Sequence, residues 1–388
     1  MGSEHDVIVL GLGGIGSGAA YWLAKRGARV LGVEQFELGH ARGESHDHTR
    51  IIRLSYHAPQ YVQLANEAYA AWSAVEADSG ARLVHKVGGL DLGPQDGAIP
   101  LEGYADAMSA CGVPFEWLDA SEIRREFPQF HVAEDVRGLF QADGGFVAAE
   151  RATAAHQLLA ERFGARLLGR APVRAIQSTG HEIVVTLESG EHYSARSLVI
   201  AAGPWSARAL GWFDVSIPLE VTKEQAMYFV PRDLREFDPS AFPVWIWMDD
   251  PSFYGFPVFG EPAVKVTQDA GGKAVDPDTR GFDPDSDITQ RVREFVAHVL
   301  PGALGPEHLV KTCLYTLTPD RDFVIDTLAE HPNVHVAIGA GHAFKFASVI
   351  GRILSDLAID GRTNSGIEHF AIDRGILRMQ APPKTYMV

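Results

Sequence analysis

The amino-acid sequence predicts an α/β fold with two interleaved domains, and the placement of three apolar runs is the main reason for this prediction. The runs are Val7-Ile8-Val9-Leu10, Ser197-Leu198-Val199-Ile200-Ala201-Ala202 and Val334-His335-Val336-Ala337-Ile338, and a glycine-rich turn follows each of them. Continuous apolar strands are typical of parallel sheets that are covered on both faces. Because the runs lie at the beginning, middle and end of the chain, another domain must be inserted between them if they share one sheet.

The two segments between these runs, residues 89–144 and 216–314, have a different pattern. They carry alternating hydrophobicity and many aromatic residues, as in Val244-Trp245-Ile246-Trp247-Met248 and Phe253-Tyr254-Gly255-Phe256. This pattern indicates an antiparallel or mixed sheet. We therefore assign these two segments to one predicted domain and assign the other domain to residues 1–88, 145–215 and 315–388. Short helical stretches, such as Ala149–Phe163 and Ile288–Leu300, are expected between the strands.

A glycine motif follows the first strand and predicts a nucleotide site. Residues 7–10 lead into Gly11-Leu12-Gly13-Gly14-Ile15-Gly16, and residues 17–26 have the pattern of a helix. In a Rossmann-type unit of this kind, the pyrophosphate of a dinucleotide rests on the backbone N–H groups at the start of the helix. A glycine motif alone is a weak signal, but here the strand before it and the helix after it are both present.

An acidic residue at the end of the next strand narrows the choice of nucleotide. Residues 29–33 form the second predicted strand, and Glu34 follows it directly. A carboxylate at this place accepts hydrogen bonds from a ribose hydroxyl, whereas a basic residue would be needed for a 2′-phosphate. The pattern disfavours NADP and leaves both NAD and FAD open.

Composition and charge exclude several classes of function. The chain has 388 residues, 46% of them hydrophobic, and 34 Lys and Arg against 50 Asp and Glu, so its formal net charge is −16. This composition is ample for a hydrophobic core and excludes wholesale disorder. So acidic a protein is not expected to bind nucleic acid or an anionic membrane. A small anionic substrate is not excluded, because a local pocket can be basic.

Cysteine usage and the chain ends predict the compartment. Cys111 and Cys313 lie far apart and form no disulfide framework, so a reducing compartment is expected. The first residues carry no basic stretch or cleavage site, no apolar run is long enough to span a bilayer, and residues 384–388 match no retention or peroxisomal address. We expect a cytoplasmic protein.

Five further motifs resemble those of one enzyme family. They are Thr49-Arg50-Ile51-Ile52-Arg53, Tyr254-Gly255-Phe256-Pro257, Lys265, Cys313-Leu314-Tyr315-Thr316 and Gly341-His342-Ala343-Phe344-Lys345. In this order, and together with the glycine motif, they resemble the monomeric sarcosine oxidase and N-methyltryptophan oxidase family within the D-amino-acid-oxidase-like superfamily. The resemblance covers essentially the whole chain. It implies FAD as cofactor and a Rossmann-type FAD-binding domain interleaved with a mixed-sheet α+β substrate domain.

The resemblance also implies that the flavin is attached covalently. The family joins a cysteine sulfur to the 8α-methyl carbon of the flavin, and the matching residue is Cys313, whereas Cys111 lacks this context and is expected to be structural. His40, His46 and His48 match no zinc spacing, so no metal is predicted. The other residues expected at the cofactor are Gly11, Gly13, Ile15, Gly16, Glu34, Gln35, Ser45, His46, Thr49, Arg50, Ile51, Val173, Gly203, Trp205, Gly341, His342, Phe344 and Lys345.

The reaction that the resemblance implies has two halves. A hydride leaves the carbon beside a neutral secondary amine and passes to the flavin, and O₂ then accepts two electrons to give H₂O₂ while water hydrolyses the imine. For sarcosine, the first substrate to expect, the products are the demethylated amino acid, formaldehyde and H₂O₂. The expected partners are therefore this small amino acid and O₂, with the chain acting as a monomer.

Four residues are expected at the substrate. Arg53 matches the family arginine that binds the substrate carboxylate, and Lys345 would be its second anchor. Tyr254 and Tyr315 match aromatic residues that wall the substrate pocket, although each is also explained as a plain core aromatic.

Two further residues are expected to assist the chemistry of the reaction. Lys265 matches the family lysine near flavin N5, where an ammonium stabilises superoxide, and His342 would tune the protonation of the substrate amine.

Three acidic residues depart from the family pattern. Glu44 and Asp47 replace small residues and would loosen a flavin-phosphate contact. Asp269 replaces a family histidine, and it would favour a charged amine or pair with Lys265.

Three alternatives stay open at this point. The first is an oxidase of a cyclic secondary amino acid, such as proline or pipecolate, or of an imine in a biosynthetic pathway. The second is a dehydrogenase on the same scaffold, which would release little H₂O₂ in air. The third is a non-catalytic flavin-binding redox protein, which the cationic residues Arg53, Lys265 and Lys345 disfavour.

Overall fold

The computed structural model describes residues 4–179, 181–379 and 382–383. The chain ends, residues 1–3 and 384–388, on which we predicted that no targeting signal is present, lie outside these ranges. Among the described residues, no helix has the length and apolarity that a membrane crossing requires.

The described residues form α-helices, short 3₁₀ turns and β-strands. The helices are α1 (Gly14–Lys25), α2 (Pro59–Ser79), α3 (Glu102–Ala110), α4 (Ala120–Glu126), α5 (Ala149–Arg162), α6 (Ser206–Gly211), α7 (Ser286–Val299) and α8 (Ala347–Asp360). The 3₁₀ turns are Gly203–Trp205, Leu234–Phe237, Ala343–Phe346, Glu368–Phe370 and Gly375–Arg378. The strands are β1 (His5–Leu10), β2 (Val30–Val33), β3 (Thr49–Ile52), β4 (Val84–Lys86), β5 (Gly89–Pro94), β6 (Glu116–Leu118), β7 (Val136–Gln141), β8 (Gly145–Ala148), β9 (Arg166–Leu168), β10 (Val173–Ser178), β11 (Ile183–Leu187), β12 (His192–Ile200), β13 (Glu220–Phe229), β14 (Val244–Trp247), β15 (Phe253–Phe256), β16 (Val264–Gln268), β17 (Lys273–Ala274), β18 (Glu307–Leu317), β19 (Val324–Leu328) and β20 (His331–Ile338).

The first sheet contains the three apolar runs as neighbouring parallel strands. Its order is β10-β11-β12-β1-β2-β9, and β20 pairs with β12 and with β19. Val7 of β1 pairs with Ser197 of β12, and Leu198 of β12 pairs with Val334 of β20. The predicted parallel core of an α/β domain is therefore confirmed.

Helices α1, α5 and α8 cover one face of this sheet, and α1 and α8 approach each other closely. A Cβ atom on Gly351 of α8 would lie 2.4 Å from the backbone carbonyl carbon of Gly18 in α1. Glycine at this position therefore sets the distance between the two helices. It keeps α1 pressed against the strands whose ends form the nucleotide site.

The second sheet is mixed and is formed by strands from residues 89–141 and 220–317. Its order is β17-β13-β16-β15-β14-β5-β7-β6, and β18 pairs with β13. Among these described pairs only β5 and β14 run parallel. Helix α7 packs against β13 and β16, burying Ile288, Val292 and Val296 at helical spacing, and Asp285 caps its first turn. The mixed sheet of the predicted substrate domain is confirmed, and the domain boundaries stay a proposal.

A small third sheet, β3-β8-β4, lies where the two large sheets meet. Strand β3 contacts the 3₁₀ turn Ala343–Phe346 that follows β20 of the first sheet. On its other side, the backbone oxygen of Thr49 in β3 accepts a hydrogen bond from Lys265 Nζ of the second sheet, at 3.1 Å. The Thr-Arg-Ile-Ile-Arg motif thus occupies the junction where a site between the sheets would form.

Candidate active site

A cavity of about 280 Å³ opens at the carboxyl ends of β1, β2 and β12. The glycine motif forms one wall, and the strand ends form another. Many of the residues predicted at the cofactor line it, namely Gly11, Gly13, Ile15, Glu34, Gln35, Ser45, His46, Val173, Gly203 and Trp205. The carboxyl edge of a doubly wound sheet is where such folds bind nucleotides.

Two glycines of the motif are required by the backbone rather than by a ligand. Gly11 has φ +88°, and a Cβ atom there would lie 2.5 Å from the backbone oxygen of Ala201. A Cβ atom on Gly16 would lie 1.8 Å from the oxygen of Gly11, so Gly16 closes the turn and does not line the cavity. Helix α1 has Gly13 at its N-cap, Ser45 Oγ accepts a hydrogen bond from the Gly14 N–H at 2.8 Å, and Gly13 and Gly14 both line the cavity. The partial positive charge of its first turn therefore faces the cavity.

Glu34 is held as an ionised acceptor at the edge of this cavity. Its Oε2 accepts a hydrogen bond from the Leu12 N–H at 3.0 Å, and its Oε1 accepts one from the Phe36 N–H at 3.0 Å. Burial alone would raise the pKa of Glu34, but hydrogen bonds from His40 and from these backbone groups bring it below its usual value. A charged carboxylate is what a ribose hydroxyl requires as an acceptor.

A second cavity, of about 100 Å³, continues from the first. Both are lined by Gly14, Ile15, Glu44, Ser45 and Gly339, so one extended ligand can reach from one to the other. Of the residues predicted by the resemblance, those lining the second cavity are Arg50, Ile51, Arg53, Tyr254, Tyr315, Gly341, His342, Phe344 and Lys345.

Arg53 enters the second cavity from the end of β3 and is fixed by the second sheet. Its Nη1 donates to Asp91 Oδ1 at 2.9 Å, and Ser55 Oγ donates to the other carboxylate oxygen at 2.5 Å. The guanidinium carbon lies 5.0 Å from the ring centroid of Tyr56 and 5.7 Å from that of Tyr104. Asp91 and the two rings hold this buried cation in one orientation.

Lys345 is the second cation of this cavity. Its side chain is buried, and Nζ lies 5.9 Å from the ring centroid of Tyr56. Burial, and then the nearby charge of Arg53, lower the pKa of Lys345 to about 7. No carboxylate of the described residues lies within ion-pair distance of its Nζ. A bound anion would therefore raise this pKa and be held by two cations.

Tyr254 and Tyr315 are joined across the cavity wall, with 3.0 Å between their hydroxyl oxygens. Burial raises the pKa of both phenols, so both stay neutral. Gly341 makes room for this wall, since it has φ +81° and a Cβ atom there would lie 2.7 Å from the Tyr315 ring. The two phenols give the cavity an aromatic surface with a polar edge.

His342 is neutral and orients one ring nitrogen by a backbone contact. Its Nε2 donates to the backbone oxygen of Arg321 at 2.8 Å, and burial, followed by the charge of Lys345, lowers its pKa well below the usual value. Nδ1 is then the unprotonated nitrogen, and it is buried without a hydrogen-bond partner among the residues of the described ranges. It is the acceptor that a substrate N–H would need.

Lys265 does not line either cavity, and its partner corrects our expectation about Asp269. Lys265 Nζ lies 2.6 Å from Asp47 Oδ2, whereas Asp269 pairs with Arg321 at 2.8 Å. The predicted pairing of Asp269 with Lys265 was therefore wrong. Asp269 follows the end of β16, where its N–H donates to the backbone oxygen of Ser252, and its side chain lines the second cavity instead. Asp47 is turned toward Lys265 and lines neither cavity, so it does not disturb a phosphate contact.

Glu44 does lie at the wall that the two cavities share. Burial raises its pKa to about 7, so much of its repulsion toward a phosphate is removed by protonation. Arg50 anchors the same loop, because its guanidinium donates to the backbone oxygens of Glu44, His46 and Thr49 at 2.8, 2.7 and 2.9 Å.

Cys313 lies on β18, two residues before Tyr315, so the two side chains share one face of the strand. Burial raises the pKa of its thiol to about 11, and the nearby charge of Arg50 opposes this shift. Cys313 is not a wall residue of either cavity, and neither is Thr49, which contributes its backbone oxygen to Lys265. Cys111 lies far away and its Sγ contacts the Pro59 oxygen at 3.7 Å.

Several wall residues of the second cavity escaped sequence analysis as site residues. They are Ile99, Tyr104, Ile246, Met248, Ser252 and Asp269, all from the second sheet and its loops. Asp91 and Arg321 act behind this wall as partners of Arg53 and Asp269. Of these residues, only Asp269 could be noticed in the sequence, because it replaces a histidine of the family pattern.

The residues present fit a flavin dinucleotide. The two cavities are continuous, Glu34 is charged, and the buried His46 Nε2 has no hydrogen-bond partner in the described part of the chain. Within the described residues no group of three or more His, Cys, Asp or Glu is arranged to hold a metal.

Comparisons with known proteins agree with this arrangement. The family described as FAD dependent oxidoreductase (DAO) matches residues 6–357. Monomeric sarcosine oxidase of Streptomyces avermitilis is 36% identical over 372 residues, which is 94% of this chain and 96% of that protein. N-methyl-L-tryptophan oxidase of Yersinia pestis is 30% identical over 378 residues, 96% of this chain and 99% of that protein. The solved structure of NikD, described as an unusual amino acid oxidase essential for nikkomycin biosynthesis, superposes with TM-score 0.84 at 28% identity and covers 99% of this chain and 98% of that chain.

Proposed function

The chain belongs to the DAO family of FAD-dependent oxidoreductases, and on that premise we propose that it oxidises a small N-methyl amino acid, with sarcosine as the first substrate to test. The observation that carries this proposal is the second cavity, where Arg53 and Lys345 meet beside the aromatic wall of Tyr254 and Tyr315. The cavity is small, about 100 Å³, and it adjoins the nucleotide cavity directly. A small amino acid therefore has both a place for its carboxylate and access to the cofactor.

The proposed reaction converts the N-methyl amino acid, O₂ and water into the demethylated amino acid, formaldehyde and H₂O₂. FAD, when bound, supplies the acceptor for a hydride and passes two electrons on to O₂. The protein's part is to bind the carboxylate, to hold the amine in its neutral form and to exclude other chemistry.

The charges of the cavity suit a substrate with one carboxylate and a neutral amine. Arg53 is balanced by Asp91, and Arg321 is balanced by Asp269. Lys345 is then the cation whose charge an incoming carboxylate would neutralise. The cations Arg53 and Lys345 disfavour an additional positive charge on the substrate nitrogen, and the neutral His342 can accept a hydrogen bond from the substrate N–H through Nδ1.

We further propose that the flavin is bonded through its 8α carbon to Cys313 Sγ. Cys313 shares a strand face with Tyr315 and lies close to the charges of Arg50 and Lys265, which favour the thiolate that this bond requires. Because burial raises the pKa of Cys313 to about 11, the thiol is mostly protonated at neutral pH, and the bond requires loss of this proton. As part of the same proposal, the protein acts as a monomer in the cytoplasm.

A second candidate is the oxidation of a cyclic secondary amino acid or of a cyclic imine. Asp269 favours it, because this carboxylate stands in the cavity wall in place of a family histidine and so changes the surroundings of the substrate. A dehydrogenase would use the same cavity but would not need a cation such as Lys265 for O₂. A non-catalytic flavoprotein would have no use for the two cations Arg53 and Lys345 in a closed cavity.

Anaerobic mixing with candidate substrates tests the proposal. Sarcosine is expected to bleach the bound flavin, and air is expected to restore the colour with one H₂O₂ released for each flavin. Proline, pipecolate and a cyclic imine, assayed in parallel, distinguish the second candidate. If no N-alkyl or cyclic amino acid bleaches the flavin, the substrate class is wrong, and if air restores the colour without H₂O₂, the enzyme is not an oxidase.

A further inference from the structure

A buried carboxylate outside both cavities is the centre of a separate charged cluster. The Asp47 side chain is 4% exposed, and it lies 2.6 Å from Lys265 Nζ, whose side chain is also 4% exposed. The other carboxylate oxygen accepts hydrogen bonds from the Tyr228 hydroxyl at 2.6 Å and from Lys311 Nζ at 3.0 Å. Three donors on three strands of the second sheet, β13, β16 and β18, thus converge on one carboxylate of the loop before β3.

The backbone conformation of Asp47 indicates that the surrounding contacts hold this residue in place. Asp47 has φ +88°, a left-handed conformation that a residue with a side chain rarely adopts. Its N–H donates to Glu150 Oε1 at 2.9 Å, which holds the loop in this conformation. Strain of this kind persists where the surrounding structure fixes it.

A continuous series of polar contacts leads from Asp47 to the surface. Lys311 Nζ lies 3.4 Å from His48 Nε2, and His48 Nε2 lies 2.9 Å from Glu261 Oε1. The other oxygen of Glu261 is 3.0 Å from His308 Nε2, whose side chain is 34% exposed. The groups along this series alternate between cation, carboxylate and imidazole, and each can take up or release a proton.

The charges around Lys265 make its protonation depend on Asp47. Burial lowers the pKa of Lys265 to about 8, Asp47 opposes this shift, and Arg50 adds to it. The thiol of Cys313 also faces Lys265, and Arg50 lies 3.8 Å from Asp47. The nearby His46 is neutral, because burial and then Arg50 lower its pKa to about 3. Asp47 is thus the carboxylate that keeps an ammonium stable in this place.

The proposed oxidase reaction needs a proton at the site where O₂ is reduced. The hydride taken from the substrate carries two electrons and one proton, whereas O₂ requires two electrons and two protons to become H₂O₂. The second proton corresponds to the one that the substrate nitrogen gives up when the iminium is hydrolysed. It is released on the substrate side and has to be delivered, through solvent, to the place where O₂ is reduced in each turnover. Lys265, the residue that the proposed function assigns to O₂, is only 3% exposed, so its proton supply depends on the groups packed against it.

We propose that Asp47 is a positioning residue that keeps Lys265 charged and in place, and that Asp47, Lys311, His48, Glu261 and His308 form a proton path from solvent to Lys265. The proposal rests on the oxidase function proposed above, because it assigns the path to the reduction of O₂. Asp47 acts through Lys265 and is not itself a residue that touches substrate or cofactor.

The test separates this proposal from the substrate assignment by reducing the flavin with dithionite instead of substrate. Reoxidation by O₂ is then followed against pH in wild type, Asp47→Asn, Lys311→Met and the control Lys223→Met. Lys223 lies in the same sheet, on β13, and donates to the Asp283 oxygen outside the path. We expect Asp47→Asn to slow reoxidation about tenfold or more at neutral pH. Reoxidation of the wild type should become slower at high pH, where Lys265 loses its proton, and in Asp47→Asn this decline should begin at a lower pH. Lys311→Met should slow it severalfold, with rescue by imidazole buffer, and Lys223→Met should not.

A second readout needs no turnover. NMR of protein labelled with ¹³C at the lysine Cε carbons gives the pKa of Lys265, with Lys265→Met to assign the signal. In Asp47→Asn this pKa should fall by about one unit or more, which is tenfold in the protonation equilibrium. Unchanged reoxidation and an unchanged Lys265 pKa in Asp47→Asn would overturn the proposal. If Asp47→Asn does not fold, reoxidation of Lys311→Met tests the proton path. A wild-type reoxidation rate in Lys311→Met, without any effect of imidazole buffer, would exclude the path. Failure of every amine substrate would refute the proposed function while leaving both readouts intact.

Discussion

Asp269 and Arg321 form a buried ion pair, with 2.8 Å between Asp269 Oδ2 and Arg321 Nη1, at the wall of the substrate cavity. Arg321 also holds a left-handed backbone conformation, φ +58°, and its backbone oxygen accepts the hydrogen bond that fixes His342. One residue pair therefore balances the charge of the cavity and orients its neutral imidazole.

Asp269→Asn should be strongly destabilising. The substitution leaves the buried guanidinium of Arg321 without its carboxylate, and breaking a buried pair in this way costs about 3–5 kcal/mol. Urea unfolding measures this cost. Asp233→Asn is the matched control, because it breaks the pair of Asp233 with the 90% exposed Arg235, where solvent screens the charges and little or no loss of stability is expected. If Asp269→Asn lost as little stability as Asp233→Asn, the burial of the Asp269–Arg321 pair would contribute nothing.

Substrate capture should weaken as the pH rises through about 7. The pKa of Lys345 is lowered to about 7 by burial and by Arg53, so its ammonium, which attracts the substrate carboxylate, is lost above that pH. The pH profile of kcat/KM reports groups of the free enzyme and so should show this limb. Lys345→Arg keeps the positive charge at all pH values and should remove the limb. A limb that persists in Lys345→Arg must belong to another group.

The same Lys345 shift has a consequence for stability. The folded pKa lies below the unfolded value of 10.5, so between about pH 7 and 10.5 the unfolded chain binds more protons than the folded one. The contribution of Lys345 to the free energy of unfolding therefore rises with pH across this window. Lys345→Met should flatten that rise, and urea unfolding of both proteins at several pH values measures it. An equal pH slope in both proteins would contradict the assigned shift.

Arg53 and Lys265 should divide the two halves of the reaction between them. Arg53→Ala removes a buried partner of the substrate carboxylate and should raise the substrate Kd about 100-fold. Lys265→Met removes the ammonium expected beside O₂ and should slow flavin reoxidation on the order of 100-fold. Stopped-flow measurement of each half-reaction distinguishes the two effects. Comparable losses of both variants in both half-reactions would contradict this division.

Cys313→Ser should abolish covalent flavin attachment. In the wild type the yellow colour should remain with protein precipitated by acid, and in the variant it should pass to the supernatant. Cys111→Ser is the matched control, because Cys111 lines neither cavity and contacts the Pro59 oxygen. Colour that stays with the Cys313→Ser pellet would move the attachment to another residue.

The fold and the nucleotide site could be predicted because their signals are local in the sequence. Gly11 and Gly16 lie within one strand-turn-helix unit, where Gly11 needs its positive φ and a side chain on Gly16 would clash with the Gly11 oxygen, although the clash of Gly11 with Ala201 depends on the neighbouring strand. The apolar strands β1, β12 and β20 could be recognised individually, and burial on both faces explains why they are continuous runs. Their joining into one sheet followed from that pattern.

The ion pairs of the site could not be predicted in the same way. Asp91 reaches Arg53, Asp47 reaches Lys265, and Arg321 reaches Asp269 only after distant strands are set in register. Charge complementarity does not choose among such partners in a chain with 50 acidic residues, because every cation has many candidates. Even the resemblance to a family did not help, since Asp47 and Asp269 are the places where this chain departs from it.

Gly341→Ala should disturb the substrate cavity, whereas Gly361→Ala should only strain the backbone. Both glycines have positive φ, +81° and +69°, so both substitutions carry a similar conformational cost of about 1 kcal/mol. A Cβ atom on Gly341 would lie 2.7 Å from the Tyr315 ring, whereas one on Gly361 would have no atom within 4 Å. Tyr315 is bonded to Tyr254 through the two hydroxyls, so displacing one phenol moves the whole aromatic wall. We expect Gly341→Ala to raise KM for sarcosine at least tenfold and Gly361→Ala to leave it within twofold, with similar losses of Tm. If both variants keep wild-type KM, the wall formed by Tyr254 and Tyr315 does not contact the substrate.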